Sequence, residues 1–187
     1  MAGSELYDVA KLSAAIARGE SFELRLFWGH RARPDGALSD ACFSQWWPCR
    51  FMVDGVSYGS AEQFMMAEKA RIFADNEVLE QILASVDPGK IKSLGRRVRD
   101  FDQGAWSRAR FDIVVRGNVA KFGQDEKLRS YLLESAPAVL VEASPLDSIW
   151  GIGLGGQHPD ARDPRGWRGS NLLGFALMRA RDELAAP

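Results

Sequence analysis

Glu62 and Lys69 are the residues whose types and spacing most readily do chemistry. They lie in Gly59-Ser60-Ala61-Glu62-Gln63-Phe64-Met65-Met66-Ala67-Glu68-Lys69-Ala70. Ser60 is a favoured N-cap, and Gln63 follows at the capping-box interval. The stretch therefore predicts a helix from Ala61 to about Phe73. Glu62 falls in its first turn, where the helix dipole favours a carboxylate. Glu62, Met66 and Lys69 recur at helical spacing and share one face. Two turns rise about 10 Å, and a lysine leaning toward the N-terminus closes much of that gap. A carboxylate and an amine in one cleft make an acid/base plus nucleophile pair. The same spacing also describes an ordinary solvated helix face, so other residues must decide.

A second candidate is the run Asp147-Ser148-Ile149-Trp150-Gly151-Ile152-Gly153-Leu154-Gly155-Gly156. Close glycines let backbone N–H groups approach a ligand, and a helix starting at Asn171 adds further donors for an anion. A structural turn explains the run equally well, because it is neither a Walker A loop nor a Rossmann fingerprint. Asp147 and Trp150 beside it suit a sugar held by its hydroxyls. Metal chemistry is not indicated: the two histidines, His30 and His158, stand apart from any ligand-spaced cluster. A serine nucleophile elbow is also missing. What remains is chemistry without metal or organic cofactor, built from Glu62, Lys69 and Asp147.

The elements that must position these residues follow from local signals. Asp8 caps a helix through about Arg18, with Val9, Leu12, Ala15 and Ile16 on one stripe. Phe22 to Phe27 alternates as a strand. Cys42 to Pro48 is an aromatic loop, in which Trp46 and Trp47 either pack inward or stack on a base. Asp54-Gly55 between Phe51-Met52-Val53 and Val56-Ser57-Tyr58 is a strong hairpin signal. Asp75 or Asn76 caps the next helix, and Asp87-Pro88 opens another. Trp106 to Phe122 is helical, locally weakened by Gly117. Glu126 to Glu134 is a short helix, and Ala138 to Ala143 a buried strand. The polar segment from Gln157 to Gly169 reads as an exposed loop or lid. Ser170 or Asn171 then caps a last helix with Leu173, Ala176, Leu177, Ala180 and Leu184 inward.

The whole chain has 187 residues, 46% apolar and 26% charged, with a net charge of -1. That is enough chain for one sizeable core. It supplies no bulk basic field for nucleic acid. The arginines between Arg96 and Arg116 are the local exception, and they read mainly as a solvated surface. Two cysteines, Cys42 and Cys49, have neither redox nor zinc spacing. No apolar run is long enough to cross a membrane, and the N-terminus does not read as a signal peptide. A cytoplasmic protein with no membrane partner is expected.

Six ordered pieces resemble the NADAR, or YbiA-like, family from about Leu26 to Leu184. Phe27-Trp28 followed by Phe43-Ser44 looks like its opening strand and loop. Tyr58 with the Glu62 to Lys69 helix is similar to its aromatic-x-(S/A)-x-E helix. Gly95-Arg96-Arg97 through Trp106, and Asn118-Val119-Ala120-Lys121-Phe122, resemble its middle segments. Leu140-Val141-Glu142-Ala143-Ser144 with Asp147 to Gly153 matches its LVEAS…D..WGIG signature. Asn171 to Arg179 matches its last helix. Met65, Met66 and the Gln157 to Gly169 insertion depart from the family pattern and bear on the shape of the substrate pocket.

The resemblance implies an α+β fold: one helix-rich domain around a small sheet, over residues 22–187, preceded by a helical extension over residues 1–21. It implies an N-glycosidase that cleaves a ribose C1′–amino nitrogen bond. The substrate expected first is ADP-ribosylated guanine in nucleic acid; the alternative is a phosphoribosylamino-pyrimidine of riboflavin biosynthesis. The competing class is a noncatalytic ADP-ribose or nucleotide-binding module in a regulatory or toxin–antitoxin assembly, with the toxin unidentified. Glu62 would shuttle protons, Lys69 would form a Schiff base or act as an electrostatic clamp, and Asp147 would orient the sugar. Trp28, Ser44, Trp106, Trp150, Gly151, Gly153 and Asn171 would bind substrate.

Overall fold

A computed structural model describes residues 7–186. The first six residues of the expected N-terminal extension lie outside the described residues. Helix α1 (Val9–Ala17) starts where the Asp8 carboxylate accepts the N–H groups of Ala10 and Lys11. Leu12 and Ala15 are buried, and the Tyr7 hydroxyl donates to Asp182 near the chain's other end. The described part of the extension is thus built into the same body as the rest.

Strand β1 (Leu24–Phe27) pairs in parallel with β4 (Val139–Glu142), Leu24 opposite Val139 and Phe27 opposite Glu142. Val139, Leu140 and Val141 are all buried, as expected of a strand covered on both faces. Hairpin strands β2 (Phe51–Val53) and β3 (Val56–Tyr58) form a separate antiparallel pair. Asp54 and Gly55 both take positive φ at its turn, as the dipeptide predicts. The sequence suggested one small sheet containing this hairpin. The strands instead divide into two pairs, and the hairpin packs Phe51 and Tyr58 against Phe64 of the next helix.

Helix α2 (Ala61–Ile72) is the central element, with every residue from Ala61 to Ala67 buried. It is surrounded by α3 (Asn76–Leu83), α4 (Pro88–Arg96) and α5 (Gln103–Gly123). Its neighbours approach closely because they carry glycine at the crossings. A Cβ on Gly95 would overlap Met66, and one on Gly117 would overlap Phe64. The glycine that weakens α5 as an isolated helix is therefore what lets it dock. Ser60 caps α2 through the Gln63 N–H. The Gln63 carboxamide accepts from Gly59 and donates to the carbonyls of Ile82, Leu83 and Ser85, stitching the start of α2 to the end of α3.

Helix α6 (Glu126–Leu133) leads into β4, and α7 (Leu172–Ala185) packs on α5 and β4. The segment between Gln157 and Gly169 is not an open lid. It folds into short 3-10 turns, Pro159–Arg162 and Pro164–Gly166, which bury Ala161 and Pro164. The Trp167 indole donates to the Ala161 carbonyl at 3.0 Å.

Candidate active site

The C-terminal end of the parallel pair and the N-terminal end of α2 meet at one place, and acidic side chains collect there. Open parallel arrangements characteristically present ligand sites at the carboxyl ends of their strands. Glu62 is 4% exposed. Its backbone N–H donates to the Gln45 carbonyl at 2.9 Å. Gln45 belongs to a turn that also carries Trp46, whose N–H donates to Ser44 Oγ at 3.1 Å. The turn is held from beneath by α5. Lys121, 1% exposed, donates to the carbonyls of Cys42 and Ser44 at 2.6 and 2.8 Å. Asn118 Oδ1 accepts from the Gln45 carboxamide. Burial without a carboxylate partner pulls the Lys121 ammonium down to about 8.

Glu142 ends β4. Its N–H donates to Asn171 Oδ1 and its carbonyl accepts from Ser144 and Ile152, so its backbone is gripped on both sides. Its Oε2 is shielded from solvent and has no hydrogen-bond partner. Asp147 stands in the following turn, its Oδ1 accepting the N–H groups of Ile149 and Trp150 at 2.9 and 2.8 Å. From α4, Lys92 reaches into the same region, its ammonium 5.7 Å from the centre of the Trp46 ring. The His30 ring flanks Trp46 at 5.4 Å.

These groups set one another's ionisation. Burial pushes Glu62 up to about 7; Asp147 adds to the rise, while Lys92, the Trp46 indole and Arg96 oppose it. Burial also pushes Glu142 up to about 8; Asp147 and Glu62 reinforce this and Lys92 opposes it. Near neutral pH the cluster can hold and release protons, as an acid/base site requires.

Glu62 and Asp147 lie close enough to act on each other's charge, while the contacts of Lys69 are made with α4 and Phe101. The Lys69 ammonium donates to the Gly95 carbonyl at 2.8 Å and lies 4.1 Å from the Phe101 ring centre. Desolvation alone lowers its pKa, with no carboxylate acting on it. Its side chain leans toward the last turn of α4 instead of back to Glu62. Trp106 is buried beside Lys69, 5.8 Å from its ammonium, and not beside the acids. Trp28 lies just beyond β1 and is 64% exposed. Ser44 supports the Trp46 turn, and Trp150 is half-buried next to Asp147.

Gly151, Gly153 and Asn171 act in the scaffold. A Cβ on Gly151 would crowd the Glu142 and Asp147 carbonyls, and Gly153 takes positive φ against Arg168. Asn171, itself at positive φ, bonds β4 through both ends of its carboxamide, to Glu142 N–H and the Leu140 carbonyl. It stands at the N-cap position of α7, one of the two caps the sequence offers, but its side chain makes no capping bond. Instead the first N–H groups of α7, from Leu172 and Leu173, donate to the carbonyls of Ile149 and Trp150.

Sequence reasoning missed Lys92 and left Glu142 as one letter of a signature. The contact that brings Lys92 in is tertiary: Gly95 meets Met66 where α4 crosses α2, and one turn back along each helix stand Lys92 and Glu62. No metal-holding group of His, Cys, Asp or Glu occurs among the described residues. No described helix is long and apolar enough to cross a membrane.

Comparison with known proteins gives the chain its relatives. The chain is 46% identical over 146 residues to "N-glycosidase R617" of Acanthamoeba polyphaga mimivirus, covering 75% of this chain and 86% of that one. It is 32% identical over 139 residues to "N-glycosidase YbiA" of Escherichia coli strain K12, covering 74% and 77%. The NMR structure of the E. coli protein YbiA superposes with a TM-score of 0.68 at 27% identity, covering 89% of this chain and 88% of that one. The NADAR domain family model matches residues 26–185, and the chain belongs to that family.

Proposed function

We propose that this N-glycosidase removes ADP-ribose from ADP-ribosylated guanine in nucleic acid, by hydrolysing the bond between ribose C1′ and the base amino nitrogen. The observation that carries the reading is Glu62, a buried carboxyl raised to about 7 beside Lys92, Asp147 and the Trp46 indole. Such a group serves as general acid and base around neutrality. Asp147, held by two backbone N–H groups, orients a sugar hydroxyl. The rim favours a base presented from outside on a strand over an enclosed metabolite. Trp28, just beyond β1, is 64% exposed, and Leu146 and Ile149, in the turn after β4, are exposed as well. An exposed indole such as that of Trp28 can stack on a base irrespective of sequence.

The route we favour runs through water activated by Glu62. A Schiff base needs an uncharged amine at C1′. Lys69 is desolvated but anchored to Gly95. Lys92 stands close enough to Glu62 and Glu142 to oppose the rise of both carboxyls. Lys92 then acts as a cation that balances the acidic cluster.

The test is base release, without added metal, from guanine-ADP-ribosylated DNA and from a ribosylamino-pyrimidine phosphate, for wild type and Glu62→Gln side by side. We expect release from the DNA and a loss of about a hundredfold or more in the variant. Release from the small molecule alone redirects the substrate assignment to metabolite hydrolysis. Release from neither, with ADP-ribose still bound, makes the protein a binding module.

A further inference from the structure

The carboxyl of Glu142 has no structural employment. A buried acid that serves the fold is paired or fully hydrogen-bonded, because an unpaired one is expensive to desolvate. Glu142, half-buried as a residue, is neither: its Oε2 is shielded and without a partner. Every bond that fixes the residue is made by its backbone, to Asn171, Ser144 and Ile152. The charged groups facing it are Glu62 from α2, Asp147 from the following turn and Lys92 from α4. Two acids against one ammonium already leave an excess negative charge, which a proton on Glu142 keeps from growing. The residue also sits at the strand end where a bound sugar would lie.

We propose that Glu142 is the general acid of the site, a catalytic residue that protonates the departing amino nitrogen while Glu62 takes a proton from the attacking water. This rests on the N-glycosidase reading. The C1′–N bond breaks as the Glu142 carboxyl proton passes to nitrogen, so the base leaves as a neutral amine. The water oxygen bonds to C1′, and its proton passes to Glu62. The products are the free base and a sugar carrying hydroxyl at C1′. Glu62 returns its proton, and Glu142 regains one, through solvent. Burial supports the division of labour, since it pushes Glu142 up to about 8, above Glu62. A base amine leaves poorly without a proton.

The experiment separates leaving groups by their need for that proton. Wild type, Glu142→Gln and Glu62→Gln are compared on ribosylated guanine and on an N-ribosylpyridinium, whose nitrogen leaves neutral without protonation. Glu142→Gln should lose about a hundredfold or more on the guanine substrate and much less on the pyridinium. Glu62→Gln should lose activity on both. Equal losses in Glu142→Gln on the two substrates, or no loss, would overturn the assignment. If wild type cleaves neither, the N-glycosidase reading fails, and a second readout still decides on Glu142. Carboxyl-carbon NMR of the free protein should show it titrating near neutrality and moving down in Glu62→Gln. Titration in the ordinary glutamate range, about 4 to 5, would remove it as a proton carrier.

Discussion

Two lysines on neighbouring helices show how little a residue type says until its surroundings are known. Lys69 carries no carboxylate partner and rests between the Gly95 carbonyl and the Phe101 ring. Its contacts tie α2 to the end of α4, the helix that carries Lys92. Replacing Lys69 with Met should therefore lower stability by about 1–2 kcal/mol and leave most of kcat in place, as urea titration and turnover measurements would show. Full loss of turnover in a folded Lys69→Met protein would restore the Schiff-base route. Lys92→Met removes the cation that opposes the rise of Glu62 and Glu142. Both carboxyls should then titrate higher, and the pH–rate profile should move to higher pH with reduced activity. An unmoved profile would mean that Lys92 does not act on the acids. Sequence identified Glu62 because a cap and a helical period locate it. It missed Lys92 because its meeting with Glu62 depends on how two helices cross.

At the scale of elements, close backbone approach decides where the acids stand. Gly174, in the first turn of α7, faces the Leu140 carbonyl of β4 so closely that a Cβ there would overlap it. Both sides of that contact are main chain, so neither can turn aside. Gly174→Ala should destabilise the protein by about 2–3 kcal/mol and, by backing α7 away, loosen the Asn171 grip on Glu142. Gly155→Ala is the control, since nothing lies within 4 Å of its added Cβ. Thermal unfolding of the two variants checks this, and equal effects would refute it. The caps at Asp8, Ser60, Asp75 and Asp87 and the Asp54-Gly55 turn were legible because each is a local rule. The parallel partnership of β1 with β4 was not, because nothing in either strand names its mate. The glycines of the Asp147 to Gly156 run were ambiguous for a related reason: tight packing and ligand approach ask for the same residue.

For the molecule as a whole, the site sets a conflict between stability and ionisation. Glu62 and Glu142 have folded-state pKa values near 7 and 8, raised above the ordinary glutamate value by burial first of all. Stability from keeping them neutral is fully present below the unfolded value, about 4.3, and is lost as pH rises through 7 and then 8. The melting temperature should therefore fall between about pH 5 and pH 9. The double variant Glu62→Gln with Glu142→Gln should flatten that fall and melt several degrees higher at the alkaline end. A parallel decline in wild type and variant would assign the pH dependence to other groups.

The β1–β4 pairing also governs how the molecule is made. Leu24 meets Val139 only after most of the helical body has been laid between them. Contacts so distant along the chain close late, because the loop entropy must be met before the pairing rewards it. Helices α2 to α5 can therefore assemble while the end of β4 is still free, and in that interval Glu62 is present but Glu142 and Asp147 are not yet beside it. A nascent or refolding chain should gain most of its helix signal before it gains any turnover.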